Sequence, residues 1–263
     1  MNQRTWICLT AVLFIHFGSL RLQGQTILPD SLQLWKDYRA AVEDASVAEA
    51  IEISHTLPAI TNPGDNPLME WINENGHDMV LVASMTDAEE AAKWREDSTF
   101  LLGNSLPWVT LPYDLEEHLR CLPLCADSLE CRMRMVQLLG LPPDCNYDRI
   151  IFFYAERDCL FRPTPDPEID DSEASLDFPA DVPEHYRKWF AENEALSYHS
   201  ATPYPWTRLG YTYDWHQGAV TVQGPGEFIV HPGARVRVKQ KITIWEWYQQ
   251  LQSSANCLSL PKE

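Results

Sequence analysis

Positive charge is scarce in this sequence. Twenty Lys and Arg stand against 38 Asp and Glu in 263 residues, a formal net charge of −18. A surface that acidic repels phosphate backbones and anionic headgroups, which excludes general nucleic-acid binding. Glycine is also sparse, 11 against 19 prolines, so the loops are expected to be stiff. No Gly-x-Ser-x-Gly elbow is present, and with it goes the usual hydrolase nucleophile signature. After residue 17 no apolar run approaches the ~20 residues that a membrane-spanning helix needs. Internal repeats and low-complexity linkers are absent too. What remains is 45% hydrophobic, with ten tryptophans, enough apolar material for a sizeable core.

The first 24 residues contain no acid. Arg4 precedes an apolar run from Trp6 to Phe17, closed by Gly18-Ser19, the layout of a signal peptide with cleavage after Gly24. Removing it leaves 18 basic against 38 acidic residues, a net −20. Export then gives a meaning to the cysteines. Without Cys8, six remain: Cys121, Cys125, Cys131, Cys145, Cys159 and Cys257. An even number in an oxidising compartment reads as disulfides, with about 15 possible connectivities. The expected staple joins Cys121 or Cys125 to Cys145 or Cys159. The C-x3-C-x5-C spacing from Cys121 to Cys131 lacks the second ligand pair of a zinc site.

Hydrophobic spacing divides the rest of the chain. Leu32, Trp35, Tyr38, Val42 and Ala45 predict a helix from Asp30 to about Ser54, and a Pro/Asn/Gly-rich loop leads from it to a strand over 79–83. Thr86 with Glu89 reads as a capping box for a helix over 87–95. A second strand is expected over 107–111, helices from Asp114 and over 128–139, and a strand covered on both faces at 150–154. A long acidic loop over 161–179 precedes a helix over about 183–195. The final third alternates like β-structure, from Leu209 to Trp215 and, beyond a Pro232-Gly233 turn, from Val236 to Ile244. The expected fold is a single α+β domain over 25–263, its core over about 27–252. It has a mixed or antiparallel sheet, a β-rich C-terminal third, helices packed on the sheet and disulfide staples.

The blocks LLGLPPD (138–144), LFRPTPDPEI (160–169), YPWTRLGYTYDW (204–215) and GEFIV (226–230) together resemble a family of exported bacterial proteins with no assigned activity. The resemblance implies that these blocks belong to one fold, and it carries over no catalytic residue.

Four patterns are candidate sites. Glu227 heads an apolar strand in GPGEFIVHPGARVRV, an arrangement similar to the terminal hairpin of ADP-ribosyltransferase-like folds. There a Glu stabilises the oxocarbenium-like centre and an Arg, here Arg162 or Arg208, would grip the NAD phosphates. The residue two before Glu227 is Pro225, where such folds carry Glu or Gln. Asp166, Glu168, Asp170 and Asp171 alternate as calcium ligands do, without the glycine and distal glutamate of an EF-hand loop. Tyr204 and Trp206 lie in a proline-flanked loop that leads to Arg208, an arrangement that would offer flat aromatic faces to a small molecule, a glycan or a protein. Arg235, Arg237, Lys239 and Lys241 form a basic stripe, read as one solvated strand face.

The sequence therefore predicts an exported binding or interaction protein of the cell envelope or extracellular space. Its ligand-binding residues would be Tyr204, Trp206 and Arg208, and no motif calls for a cofactor. The alternative is an NAD-consuming enzyme, ADP-ribosyltransferase-like or NAD glycohydrolase-like, using Glu227 with Arg208 or Arg162.

Overall fold

In a computed structural model, which describes residues 31–120 and 125–258, the chain opens with α1 (Ser31–Ala45). The hairpin strands β1 (Trp71–Glu74) and β2 (His77–Thr86), helix α2 (Ala88–Lys93) and two short strands, β3 (Thr99–Leu101) and β4 (Trp108–Val109), follow. Next come α3 (Pro112–Arg120), α4 (Ser128–Leu138), β5 (Arg149–Glu156), β6 (Leu160–Phe161) and α5 (Glu184–His199). The last third holds β7 (Tyr211–Tyr213), β8 (Gln223–Gly226), β9 (Phe228–Val230), β10 (Arg235–Thr243) and α6 (Ile244–Leu258).

The apolar run at 150–154 becomes the middle of β5, the central strand of an antiparallel sheet ordered β1-β2-β5-β10-β3. Both of its faces are covered. Ile151, Phe153 and Ala155 join Val80, Val82, Val236 and Val238 in one core cluster. Ile150 and Phe152 face the other way, against Leu115 of α3, Met135 and Leu138 of α4, and Trp247 and Leu251 of α6. A second sheet, β4-β9-β6, and a ribbon, β7-β8, complete a single α+β domain. The bridge Ala83↔Thr110 joins the two sheets, and the Ser84 hydroxyl donates to the Trp108 carbonyl at 2.9 Å beside it.

The basic stripe is not one face. The β10–β5 register slips between Val238 and Gln240, so Val238 lies opposite Phe153 and Gln240 opposite Phe152. A one-residue bulge exchanges the faces of a strand. Arg235 and Arg237 thus share a face with Tyr154, where Glu156 and Glu74 lie 3.6 and 3.5 Å from them. Lys239, at the bulge, reaches Glu70 at 2.5 Å, while Lys241 lies opposite Ile151 and donates to the Ala91 carbonyl.

Other expectations also shift. The first helix ends at Ala45 and buries Leu34, Tyr38, Ala41 and Val42, leaving Leu32 at the surface. Asp87, not Thr86, caps α2, its carboxylate accepting the Glu90 N–H at 2.7 Å. The strand ending near Ile244 instead turns into α6 at a reciprocal cap: the Thr243 hydroxyl accepts the Glu246 N–H and the Glu246 carboxylate accepts the Thr243 N–H. This helix carries the domain beyond residue 252. No described helix is long and apolar enough to cross a membrane.

The expected staple is not formed among the described cysteines. Cys125, Cys131, Cys145 and Cys159 are free thiols. Cys131 donates its S–H to the Cys125 sulfur, which lowers the pKa of Cys125, while that bond and burial hold Cys131 protonated. Cys159 bonds to Glu156 at 3.5 Å, and Cys145 sits apart in the cluster under α1. Cys121 and the side chain of Cys257 lie outside the described residues.

Candidate functional site

Glu227 occupies the single residue between β8 and β9. Its backbone N–H donates to the Gly210 carbonyl at 3.0 Å, and the N–H of Gly226 donates to Asp114 of α3 at 2.7 Å. Gly226 presses against Pro58 so closely that a Cβ there would come within 2.4 Å of the proline ring. The backbone beside Glu227 is therefore pinned from two sides. The side chain is 3% exposed, and its Oε1 makes no hydrogen bond. Burial pushes its pKa well above the ordinary carboxylate range, because desolvation penalises the charged form.

This carboxyl lines a cleft of about 700 Å³. The cleft sits where the two sheets meet: the end of β2, the β4 segment and the C-terminal half of α5 form its walls, with Leu139 and Leu141 after α4 and Tyr204 completing it. Most of its surface is apolar, supplied by Trp94, Trp108, Leu106, Val109 and Ile151 among others. Two further buried polar atoms on its wall, Thr110 Oγ1 and Asn193 Nδ2, have no hydrogen-bond partner. Among the described lining residues there is no Lys, Arg or His; Glu90 and Glu227 are the ionisable acids. The Tyr204 hydroxyl donates to the Leu139 carbonyl at 3.3 Å, and burial raises its pKa well above 10. An apolar cleft with a few convergent, unsatisfied polar groups has the composition of a small-molecule site.

Of the proposed ligand-binding trio, only Tyr204 reaches this cleft. Trp206 is 0% exposed and packs on Phe190, with ring centroids 4.8 Å apart, and edge-on to Trp108. It is a core tryptophan behind the wall and not a surface platform, because the loop folds inward: the Tyr204 N–H donates to the Ser197 carbonyl and the Tyr198 hydroxyl to the Trp206 carbonyl. Arg208 is a brace. It pairs with Glu194, donates to the Ser46 carbonyl at 2.9 Å and lies over the Tyr198 ring.

Arg162 is equally committed. Fully buried, it bonds Asp171 at 2.7 Å and the carbonyls of Asp171, Glu173 and Pro58. The acidic loop is thus tied down by Arg162 and not by Arg208. Neither arginine lines the cleft with Glu227, so among the described residues no guanidinium stands there to grip a pyrophosphate. The carboxylates that approach one another are Asp166, Glu168 and Asp171, with oxygens within 4.8 Å. Asp170 turns instead towards Arg157, at 3.7 Å.

No protein-family model, curated protein or solved structure matches the chain. The site therefore rests on its own geometry. Thr110, Asn193 and Trp108 went unnoticed as site residues in the sequence. Trp108 and Thr110 read there only as strand residues, and Asn193 has no local signal at all, since its role comes from where α5 docks.

Proposed function

We propose that the protein is an exported small-molecule-binding protein whose ligand occupies the cleft between the two sheets, with Glu227 as its polar anchor. The observation that carries this reading is the Glu227 carboxyl, buried, pinned by its backbone and unpartnered on the wall of a 700 Å³ cleft. Leaving a buried polar atom unpaired costs about 1–3 kcal/mol, a cost that a ligand removes on binding. Export is supported by the charge and length pattern of residues 1–24. The NAD-consuming alternative keeps its glutamate and loses both arginines, which are bonded to Asp171 and Glu194.

The test is a fluorescence titration with N-phenyl-1-naphthylamine, a neutral apolar probe. Saturable one-to-one binding is expected, weakened by Leu196→Trp, which adds an indole at the exposed edge of the cleft. Binding indifferent to that substitution would place the ligand elsewhere. In a parallel incubation NAD should remain intact. Nicotinamide release that disappears in Glu227→Gln would establish the enzyme instead.

A further inference from the structure

Three features of the cleft bear on the charge of its ligand. The first is the imbalance of its wall. Its carboxyl groups are those of Glu90 and Glu227, and among the described residues no basic side chain lines it. Glu90 has a partner outside, Lys93 at 2.6 Å, whereas Glu227 Oε1 has none. The second is aromatic. Trp94, Trp108, Tyr147 and Tyr204 line the same cleft, and Trp108 is held edge-to-face by Tyr204 and Trp206, both centroids at 6.1 Å, while keeping part of its surface open. Aromatic faces attract cations through their quadrupole, most strongly where water is excluded. The third is Asn193, whose buried, unpaired amide nitrogen can donate to an acceptor oxygen.

Building on the reading of the cleft as a ligand site, we infer that it takes a monovalent organic ammonium ion bearing an acceptor oxygen, and that binding expels the proton of Glu227 to solvent. Burial favours the neutral acid in the free protein, and among the described residues no basic side chain in the cleft would neutralise a carboxylate. A bound ammonium supplies that charge, so the acid ionises, the proton leaves, and the pair forms within aromatic walls. The groups facing this carboxyl do not substitute for the cation. Tyr204 and Tyr198 are neutral phenols with raised pKa values. Asp114 accepts the N–H of Gly226, one residue before Glu227, and is itself an acid, and Arg162 stacks over the neighbouring Phe228 ring at 5.7 Å but is bonded to Asp171. An anionic or neutral ligand would leave the carboxyl protonated and the aromatic faces without a charge to meet.

The experiment is calorimetric titration of the full mature chain at pH 6 with two probes of one shape, (3-hydroxyphenyl)trimethylammonium and 3-tert-butylphenol. The cation is expected to bind at least about tenfold more tightly than its neutral carbon analogue. Repeated in buffers of different ionisation enthalpy, its binding should release about one proton. Glu227→Gln, which copies the shape of the neutral acid, should erase the preference for the cation. Equal affinity for both probes, or cation binding without proton release, overturns the ammonium assignment and leaves the cleft as a neutral-ligand site. Failure of both probes to bind overturns the cleft reading together with it. The proton count is taken on the unsubstituted protein, so the test does not depend on the variant folding.

Discussion

Asp114 accepts the N–H of Gly226 at 2.7 Å, so α3 grips the chain one residue before the carboxyl that lines the cleft. The same aspartate sits 3.5 Å from His118, one helical turn on, whose ring also bonds the Asp114 carbonyl. Desolvation works against the His118 cation, but the Asp114 bonds outweigh it and raise the pKa of His118.

Asp114→Asn should therefore have two effects. A hydrogen bond to a charged group contributes about 1.5–3 kcal/mol, so the variant is expected to melt lower and to bind cleft probes more weakly. The His118 share of the loss has a sign. A raised folded pKa gives stability that is complete below the unfolded value of about 6.5 and disappears as pH rises through the folded one. The gap between the two proteins should accordingly be widest on the acid side and narrow above neutrality, as followed by urea unfolding at several pH values. A gap independent of pH would remove His118 from the account.

Glu227→Gln should stabilise the ligand-free protein at neutral pH. The folded carboxyl keeps its proton to higher pH than the unfolded one, so the wild type loses stability as pH rises from about 4.3 towards the raised folded value. The variant has no such proton to lose. Its advantage in melting temperature should be small at pH 4 and grow as pH rises from there; a constant difference would contradict a raised pKa for Glu227.

Arg134 and Asp214 form a buried two-pronged ion pair, at 2.9 and 2.5 Å, that ties α4 to the chain after β7. Breaking one side of such a pair costs about 3–5 kcal/mol, whereas replacing both partners by apolar residues of similar volume is often neutral. Arg134→Ala should be severely destabilising by thermal melting, and Arg134→Met with Asp214→Leu should recover most of the loss. A mild single variant would show that the pair is dispensable.

Oxidation should act on one pair of the described thiols first. The Cys131–Cys125 contact favours the Cys125 thiolate, the nucleophile in disulfide formation. Mild treatment with diamide followed by peptide mapping is expected to find Cys125 joined to Cys131, with Cys145 and Cys159 still open to alkylation. A Cys125–Cys145 or Cys125–Cys159 bridge would reinstate the longer staple expected from the sequence.

Much of the scaffold was legible along the chain. The apolar block at 150–154 announced a strand covered on both faces, and β5 is that strand. Three differences share a cause: the local signal was present but belonged to other residues or to another element. Thr243-x-x-Glu246 is the capping box that starts α6, while Thr86-x-x-Glu89 has the same form but loses to Asp87, whose shorter carboxylate caps directly. Asn75-Gly76, both at positive φ (55° and 86°), makes the tight turn between β1 and β2 that a two-residue hairpin demands, within the stretch expected from composition to be a Pro/Asn/Gly-rich loop. The site was half visible. Glu227 stood out as an acid at the head of an apolar strand, but the other cleft residues did not, because Thr110, Asn193 and Trp108 join the same wall only through the docking of β4 and α5. The arginines misled for the converse reason: Arg162 and Arg208 look free in sequence, and their partners Asp171 and Glu194 are set by the fold.

The proposed role of the cleft depends on the protonation of one side chain. Carbon-detected NMR of the Glu227 carboxyl across pH 3–9 in the ligand-free protein measures it directly. The carboxyl is expected to remain protonated well past the ordinary glutamate midpoint of about 4.3, with its transition moving to lower pH when (3-hydroxyphenyl)trimethylammonium is added. A transition near 4.3 in the free protein, unmoved by the cation, would contradict the central claim.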